Sequence, residues 1–316
     1  MWFVKSAELV CVGIPALSLP AMNRSSPPPA AFDVVVCGSL HLDIVVRAPA
    51  LPKLDETAVG TAWKQVCGGK GGNQAVQAAS VGARTAMIGR IGSDGFGKAL
   101  SENLAKAGVD ISAVTIDSKT GSGMSVAILQ HDGDYGAVIV SGANTTIDPK
   151  SIEMSWATFS GAKVLVLQNE VPDDVNVSAA KVARAHGAMV VLNAAPARPL
   201  SDDLIQHVDV LIVNRVEAEA MSNQPVNDKA SALAALPKLA GTGRSVVITL
   251  GGNGLVVGTA SGEIIEIDAI SVTVTSTHGA GDCFVGVLAA RLAAGIPLVN
   301  ACRIANQSAA AFVSRI

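Results

Sequence analysis

The sequence predicts an α/β protein: a three-layer αβα, doubly wound, mainly parallel sheet with a small β-sheet lid. Two observations carry the main layer. Short apolar runs rich in β-branched residues recur along the chain, and none alternates with polar residues, as expected of strands buried on both faces. Ala-rich segments of helical length lie between several of them, and strand–helix–strand repetition makes neighbouring strands parallel. A third observation carries the lid. Residues 43–66 and 122–141 alternate more, carry β-branched side chains and include the turn signal His131-Asp132-Gly133-Asp134. They read as short antiparallel strands projecting from the main layer, with a plain edge extension of the sheet as the competing reading.

In chain order, residues 1–31 stand apart. Lys5 precedes a moderately apolar stretch over 9–22 broken by Pro15 and Pro20, and Asn23-Arg24-Ser25-Ser26-Pro27-Pro28-Pro29 follows. The stretch is too short and too proline-broken to span a membrane. It reads as an N-terminal extension, disordered or non-native, joined by a Pro-rich linker to a domain over 32–316; a weak signal peptide is the alternative. Strands are expected at 34–36, 164–167, 189–192, 210–213 and 246–250. Helices are expected at 98–107, 175–186, 200–207, 229–240 and 283–296.

Composition narrows the function. The 316 residues are 49% hydrophobic and 16% charged, which suits a large, doubly covered core and not a disordered chain. Net charge is −3 with no basic run, and 3% of residues are aromatic, so both the electrostatic footprint and the stacking platforms of a nucleic-acid binder are missing. No apolar run reaches membrane-spanning length. Cys11, Cys37, Cys67, Cys283 and Cys302 are scattered without a CxxC pair, which argues against a disulfide framework or structural zinc and for a reducing, cytoplasmic setting.

The most informative stretch is Thr277-His278-Gly279-Ala280-Gly281-Asp282, with an apolar segment after it. Small residues at a helix start leave N–H groups open to an anion, and the helix dipole favours negative charge there. A carboxylate in a phosphate cradle repels its ligand if it only binds. It makes sense if Asp282 takes a proton from a hydroxyl that then attacks the phosphate. Taken alone, the string reads equally well as a Gly-rich turn with Asp282 in the first helical turn.

Cys67-Gly68-Gly69-Lys70-Gly71-Gly72-Asn73-Gln74-Ala75 is a second Gly-rich helix start. It sets ammonium and amide donors where the backbone can approach a polyhydroxyl ligand. Asp43 follows the first strand, at the edge where a doubly wound sheet presents groups to ligands; a solvated turn aspartate is the alternative. Gln168-Asn169-Glu170, Asn193-Ala194-Ala195-Pro196-Ala197, Asn214-Arg215-Val216-Glu217 and Thr249-Leu250-Gly251-Gly252-Asn253-Gly254 each follow a strand, so polar or Gly-rich ends converge on one sheet edge. Gly92-Ser93-Asp94-Gly95-Phe96-Gly97-Lys98-Ala99 nearly spells a P-loop, but Ala99 lacks the hydroxyl that Mg²⁺ needs. No GxGxxG follows the first strand, which argues against an NAD dehydrogenase. His41, His131, His186, His207 and His278 show no metal-ligand spacing, and His278 reads as a support for the backbone of the cradle.

Together these strings resemble the ribokinase, or PfkB-type, carbohydrate kinase family over residues 34–316. Residues 68–75 are similar to its first signature, in a form close to that of ribokinases, and residues 277–282 to its second. Asn193-Ala194-Ala195-Pro196-Ala197 is also ribokinase-like. The resemblance implies a ribokinase-like fold and MgATP-dependent phosphorylation of a sugar primary hydroxyl, with D-ribose as the first expectation. It implies that Asp282 is the general base and that N–H groups of Gly279, Ala280 and Gly281 form an anion hole. Around the sugar it places Asp43, Gly69, Lys70, Gly71, Gly72, Asn73 and Glu170. Around the nucleotide it places Asn214, Thr249, Gly251, Gly254, Gly281 and Asn306, with Glu217 serving Mg²⁺ through water. It also implies a homodimer that pairs through the lid.

The chain departs from the family pattern in three places. The family carries an acid where Ser276 stands, in a loop that holds a monovalent cation, so Ser276 and His278 are the K⁺ candidates with a neutral hydroxyl in place of the acid. Family members continue beyond residue 316 with a Gly-containing loop and a last helix, so C-terminal truncation is expected. The extension over 1–31 has no counterpart. Two rivals stand beside the sugar kinase. A nucleoside or pseudouridine kinase of the same family would need stacking surface that the aromatic-poor lid does not offer. A non-catalytic sugar- or nucleotide-binding relic is opposed by the intact Asp282, Gly281, Lys70 and Asn73.

Overall fold

The computed structural model describes residues 31–130, 135–159, 161–241 and 243–314. The expected extension, apart from Ala31, and the expected turn at 131–134 lie outside the described residues. The chain enters on β1 (Val34–Cys37) and leaves the main layer at once for the antiparallel pair β2 (His41–Arg47) and β3 (Ala62–Gly68). Helix α1 (Lys70–Ser80) follows directly, then β4 (Thr85–Gly92), α2 (Gly95–Lys106) and β5 (Asp110–Asp117). Strands β6 (Gly123–Leu129) and β7 (Tyr135–Val140) leave the layer a second time.

Alternation then takes over. The chain runs through α3 (Pro149–Thr158), β8 (Val164–Gln168), α4 (Asp173–Ala185), β9 (Met189–Asn193), α5 (Asp202–Ile205) and β10 (Val210–Asn214). Next come α6 (Arg215–Ser222), α7 (Lys229–Ala240), β11 (Ser245–Thr249), β12 (Leu255–Gly258) and β13 (Ile264–Ile267). Helices α8 (Ala280–Ala293) and α9 (Leu298–Val313) complete the described fold.

The main sheet has the order β13-β12-β11-β10-β9-β8-β1-β4-β5. Its strands are parallel except β12, which runs antiparallel to both neighbours. Successive side chains of β1 enter different cores, as the two-residue period requires. Val35 and Cys37 pack with Trp156, Ala179, Leu204 and Leu236 from the helices of one face. Val34 and Val36 pack with Ala75, Leu104, Leu288 and Ala305 from those of the other. Burying each large apolar side chain contributes about 1.5–3 kcal/mol, which explains why both faces of these strands are apolar.

The remaining strands form a lid of order β3-β2-β6-β7. Its two halves pair β2 with β6 in parallel, whereas the sequence reading had all lid strands antiparallel. The reason lies in the connections. β2 prolongs the path of β1 and β6 that of β5, and both parent strands belong to the parallel part of the main sheet. The helix expected over 200–207 also differs, shrinking to four residues. Ser201 caps it, accepting the Leu204 N–H at 3.1 Å, and Leu204 alone of its residues is buried, too little apolar face to hold a longer helix.

The near P-loop is a helix start. Asp94 Oδ1 accepts the Gly97 N–H at 2.8 Å and so caps α2, while Oδ2 accepts the Ser122 N–H at 2.8 Å. Four stretches of chain join lid to core: residues 38–40, Gly69, 118–122 and 141–146. Asn144 is fully buried and clamps two of them. Its Oδ1 accepts the Leu40 N–H at 2.8 Å, and its Nδ2 donates to the carbonyls of Leu40 at 2.9 Å and Ser141 at 2.8 Å. Among the described residues, no helix is long and apolar enough to cross a membrane.

Candidate active site

The strand order reverses at β1, whose neighbours β8 and β4 are followed by connections that diverge, so a crevice opens beyond the C-terminal ends of β1 and β8. Ser39 and Glu170 come from those two ends. Ser39 Oγ donates to Glu170 Oε2 at 2.5 Å, and the Lys70 N–H donates to the same oxygen at 2.9 Å. The first turn of α1 is thereby fastened to the end of β8.

Helices α1 and α8 lie against each other at unusually short range, and Gly286 allows it. A Cβ there would fall 2.5 Å from the Gln74 carbonyl oxygen and 2.6 Å from Gln77 Cβ. The close approach sets the start of α8 beside the start of α1. Asp282, in the first turn of α8, accepts from Asn73 Nδ2 at 2.9 Å on one oxygen and from Gln74 Nε2 at 2.9 Å on the other. Gln74 Nε2 also reaches Asn193 Oδ1 at 3.1 Å. Burial pushes the Asp282 carboxyl above the usual carboxylate range, Glu170 adds to the push, and Lys70 and the two amides oppose it. The group is a fixed, poorly solvated carboxylate with increased proton affinity, the character of a general base.

The backbone around it is partly as expected for an anion hole. Gly279 caps α8 in the left-handed region at φ 79°, and nothing lies within 4 Å of a Cβ built on Gly281. The Ala280 N–H, however, donates to the Thr277 carbonyl at 3.2 Å, so this expected donor is spent inside the turn.

The glycines that open α1 differ. Gly69 has φ 85°, and a Cβ on Gly71 would lie 2.7 Å from backbone atoms of Gly38 and Ser39. A Cβ on Gly72 would lie 2.9 Å from Leu40 Cδ2. Gly71 and Gly72 are buried, and the space beside them is filled by residues 38–40. At these two positions glycine lets the protein approach itself.

Asp43 points across the lid sheet, with a Cβ on Gly68 coming 2.2 Å from its Oδ2. It accepts from Ser125 Oγ at 2.5 Å, and burial pushes its carboxyl up. On the other side of Asp282, a cleft of about 210 Å³ is lined by Lys70, Asn193, Asn214, Glu217, Thr249 and Gly281, among others. Asn214 and Glu217 form a capping box at the start of α6. Asn214 Oδ1 accepts the N–H groups of Val216 at 2.7 Å and Glu217 at 3.0 Å, and Glu217 Oε2 accepts the Asn214 N–H at 2.7 Å. Glu217 is buried, which pushes its carboxyl up, while Lys70 pulls it down. The Lys70 ammonium stands 4.0 Å from Glu170 and acts on Asp282 and Glu217 as well, so one cation serves three carboxylates.

Thr249 stands at the edge of the cleft, while Gly251, Gly254 and Asn306 are not among the residues that line it. Thr249 Oγ1 bonds the Val213 carbonyl at 3.4 Å, and the chain then turns through Gly251 at φ 57° and Gly254 at φ 83°. A Cβ on Gly254 would fall 2.1 Å from the Ile267 carbonyl oxygen, so this glycine is required by the fold. Asn306 donates to the Asp268 carbonyl at 2.9 Å, beside an open depression lined by Lys229, Gly252, Asn253 and Asp268. Ser276 and His278 are exposed, and Ser276 Oγ accepts the His278 N–H at 3.3 Å. Among the described residues, no group of three or more His, Cys, Asp and Glu side chains is placed to hold a metal ion.

Sequence reasoning missed Gln74, Asn193, Ser39 and His41 as individual site residues. Gln74 carried a usable signal. It falls on the buried stripe of α1 with Gly71, Ala75 and Ala78, and a polar side chain on such a stripe needs a partner.

Comparison with known proteins points to one family. The family model described as pfkB family carbohydrate kinase matches residues 31–316. The ribokinase of Bacillus subtilis (strain 168) is 34% identical over 277 residues, covering 88% of this chain and 91% of that protein. The deoxyribokinase of Salmonella typhi is 31% identical over 260 residues, covering 82% of this chain and 85% of that protein. Among solved structures, Arabidopsis thaliana ribokinase complexed with ribose and ATP superposes with a TM-score of 0.83 at 29% identity, covering 90% of this chain and 94% of that one.

Proposed function

This chain belongs to the pfkB family of carbohydrate kinases, and we propose that it is an ATP-dependent ribokinase that converts D-ribose to ribose 5-phosphate. The observation that carries the reading is Asp282, a buried carboxylate held by two amide donors at the start of a helix whose capping glycine is left-handed. Ribose lies among Asp43, Lys70, Asn73 and Glu170 with its primary hydroxyl toward Asp282. The carboxylate takes the hydroxyl proton as the oxygen bonds to the γ-phosphorus, and the bond to the β-phosphate oxygen breaks to leave ADP. N–H groups of Gly279 and Gly281 stabilise charge on the transferring phosphoryl, each worth about 3–4 kcal/mol by analogy with other anion holes. The Lys70 ammonium balances the carboxylates so that an anionic nucleotide is tolerated beside them.

The residues suit Mg²⁺. Glu217 spends Oε2 on its cap and lines the cleft, so its other oxygen would hold a hydrated ion, and the ion would neutralise triphosphate charge. K⁺ fits less well, because residues 269–281 carry no carboxylate and Ser276 Oγ is hydrogen-bonded within its loop. The reading also places the enzyme in the cytoplasm as a homodimer paired lid to lid, supported by the exposed Trp63, Val138, Ile139 and Val140 on the lid.

The test is Asp282→Asn followed by ADP release with ribose. A fall in kcat of about 10³-fold or more is expected, and near-normal turnover would sink the general-base role. The Salmonella typhi relative favours a second reading, deoxyribose as acceptor. A panel of ribose, 2-deoxyribose, hexoses and nucleosides decides, and a higher kcat/KM for any rival acceptor displaces ribose.

A further inference from the structure

Glu170 stands in the turn between β8 and α4, and its carboxylate is met on one side by Ser39 and the Lys70 N–H. The backbone of the same turn is held by the loop that follows β9. The Asn169 N–H donates to the Ala195 carbonyl at 2.9 Å, and the Asn169 side-chain amide donates to the Pro196 carbonyl at 3.0 Å. Arg198 Nη1 donates to the Val171 carbonyl at 2.7 Å. Asn169 and Val171 are both buried, and they flank Glu170 in the chain. Glu170 is therefore pinned one residue before and one residue after itself, with only two soft dihedrals per residue between the pins.

Arg198 is the odd member of this set. Its guanidinium is half-buried, and burial pushes its pKa down while Asp173 opposes the push. Asp173 Oδ1 stands 3.8 Å from Nη2, beyond hydrogen-bond reach, and Nε and Nη2 have no hydrogen-bond partner among the described residues. An arginine placed for its ion pair would meet the carboxylate through two parallel N–H groups. This one leaves that fork unmade and gives its short bond to a backbone oxygen. What the arrangement secures is a charge-assisted hold on the carbonyl next to the acid of the sugar site.

We infer that Arg198 is a positioning residue for the acceptor sugar: it does not touch the sugar, and it acts through the Val171 carbonyl to keep the Glu170 carboxylate where Ser39 and the Lys70 N–H meet it. The inference rests on the sugar-kinase reading above and adds to it a residue outside the site that sets the grip on the acceptor. Small displacements matter there, because a hydrogen bond to a hydroxyl weakens steeply with distance and angle.

The experiment uses the full chain, with calorimetric titration of D-ribose and steady-state kinetics. Arg198→Met keeps the apolar stem and removes the donors. It raises the sugar Kd and KM about 10-fold, the worth of one charge-assisted hydrogen bond, and leaves the ATP KM within about twofold. Arg198→Lys keeps sugar affinity within about threefold, because the carbonyl uses one donor and an ammonium supplies it. A double-mutant cycle reads the route: in the Glu170→Gln background, Arg198→Met changes the sugar Kd by less than about twofold, since the group it positions is already altered. Unchanged sugar affinity in Arg198→Met overturns the inference. So does full additivity with Glu170→Gln, or a joint rise of the sugar and ATP constants, either of which marks a plain structural support. If Arg198→Met does not fold, Asp173→Asn still decides: it removes the neighbouring anion and leaves the carbonyl bond, so wild-type sugar affinity is expected, and a loss of about 10-fold would give the role to the ion pair and overturn the inference. If the wild-type chain binds no sugar, the kinase reading falls and takes this one with it; an active wild type indifferent to Arg198 removes this one alone.

Discussion

Helices α1 and α8 both begin in glycine-rich turns, and the two turns meet at Asp282. Around Gly71 and Gly72 the missing side chains leave room that residues 38–40 fill, with backbone atoms 2.7 Å from a Cβ on Gly71. Around Gly281 there is no atom within 4 Å of such a Cβ. One turn is glycine-rich so that the protein can close upon itself, the other so that space stays open. A glycine string in a sequence announces close approach without saying of what, and the structure supplies the missing partner.

The comparison is breakable by substitution. Gly71→Ala carries the largest expected effect: no flexible side chain stands in the way, only backbone, so the fold loses about 2–3 kcal/mol. A thermal melt checks it, and an unchanged Tm would show that α1 can slide without penalty. Gln74→Leu, between the two turns, removes one of the two donors that fix Asp282. A fall in kcat of about 10–100-fold is expected, with the ATP KM little changed.

That variant also has a pH signature. Asp282 titrates above the usual carboxylate range because of burial, and the Gln74 hydrogen bond holds it down. Activity is therefore lost as pH falls through the raised value, and in Gln74→Leu the acid limb of kcat/KM moves to higher pH. Stability runs the other way. A carboxyl whose pKa is raised by folding binds protons more tightly in the native state, so its contribution to stability grows as pH falls toward its unfolded value. Melts of the wild type and Asp282→Asn between neutral and mildly acid pH should converge at the acid end; parallel curves would mean that Asp282 is not raised. The smallest effect is expected from Gly281→Ala. Helix propensity improves by up to about 1 kcal/mol, so Tm holds or rises, while a methyl in the open turn lowers kcat about tenfold. A Tm loss like that of Gly71→Ala would erase the distinction between the turns.

Much of the main layer was legible because its central strands obey one simple rule. β8, β9, β10 and β11 are buried on both faces, and their apolar runs say so. β5 was not legible: as an edge strand it mixes exposed and buried positions. The hairpin β12–β13 was hidden by shortness and by the exposed Ile264. In the site, Asp282, Lys70 and Asn73 stood out because charge and amide side chains among glycines are conspicuous. His41 did not, since its setting depends on Gly68 and Gly123, which the strand register alone makes its neighbours. Ser39 and Asn193 acquire meaning only when β1, β8 and β9 are laid side by side.

The lid is tied to the core at four places, and two of those ties border the candidate site: 38–40 holds Ser39, and Gly69 runs into Lys70. Asn144 rivets a third tie to the first. A flap on one strap can swing while its frame stands still, but this flap is held at four places, and the proposed sugar site lies along two of them. On the proposed reading, entry and exit of the acceptor involve deformation of the seat that holds it. Turnover and grip are set by the same few residues, so a change that tightens the seat also lengthens the wait for product to leave.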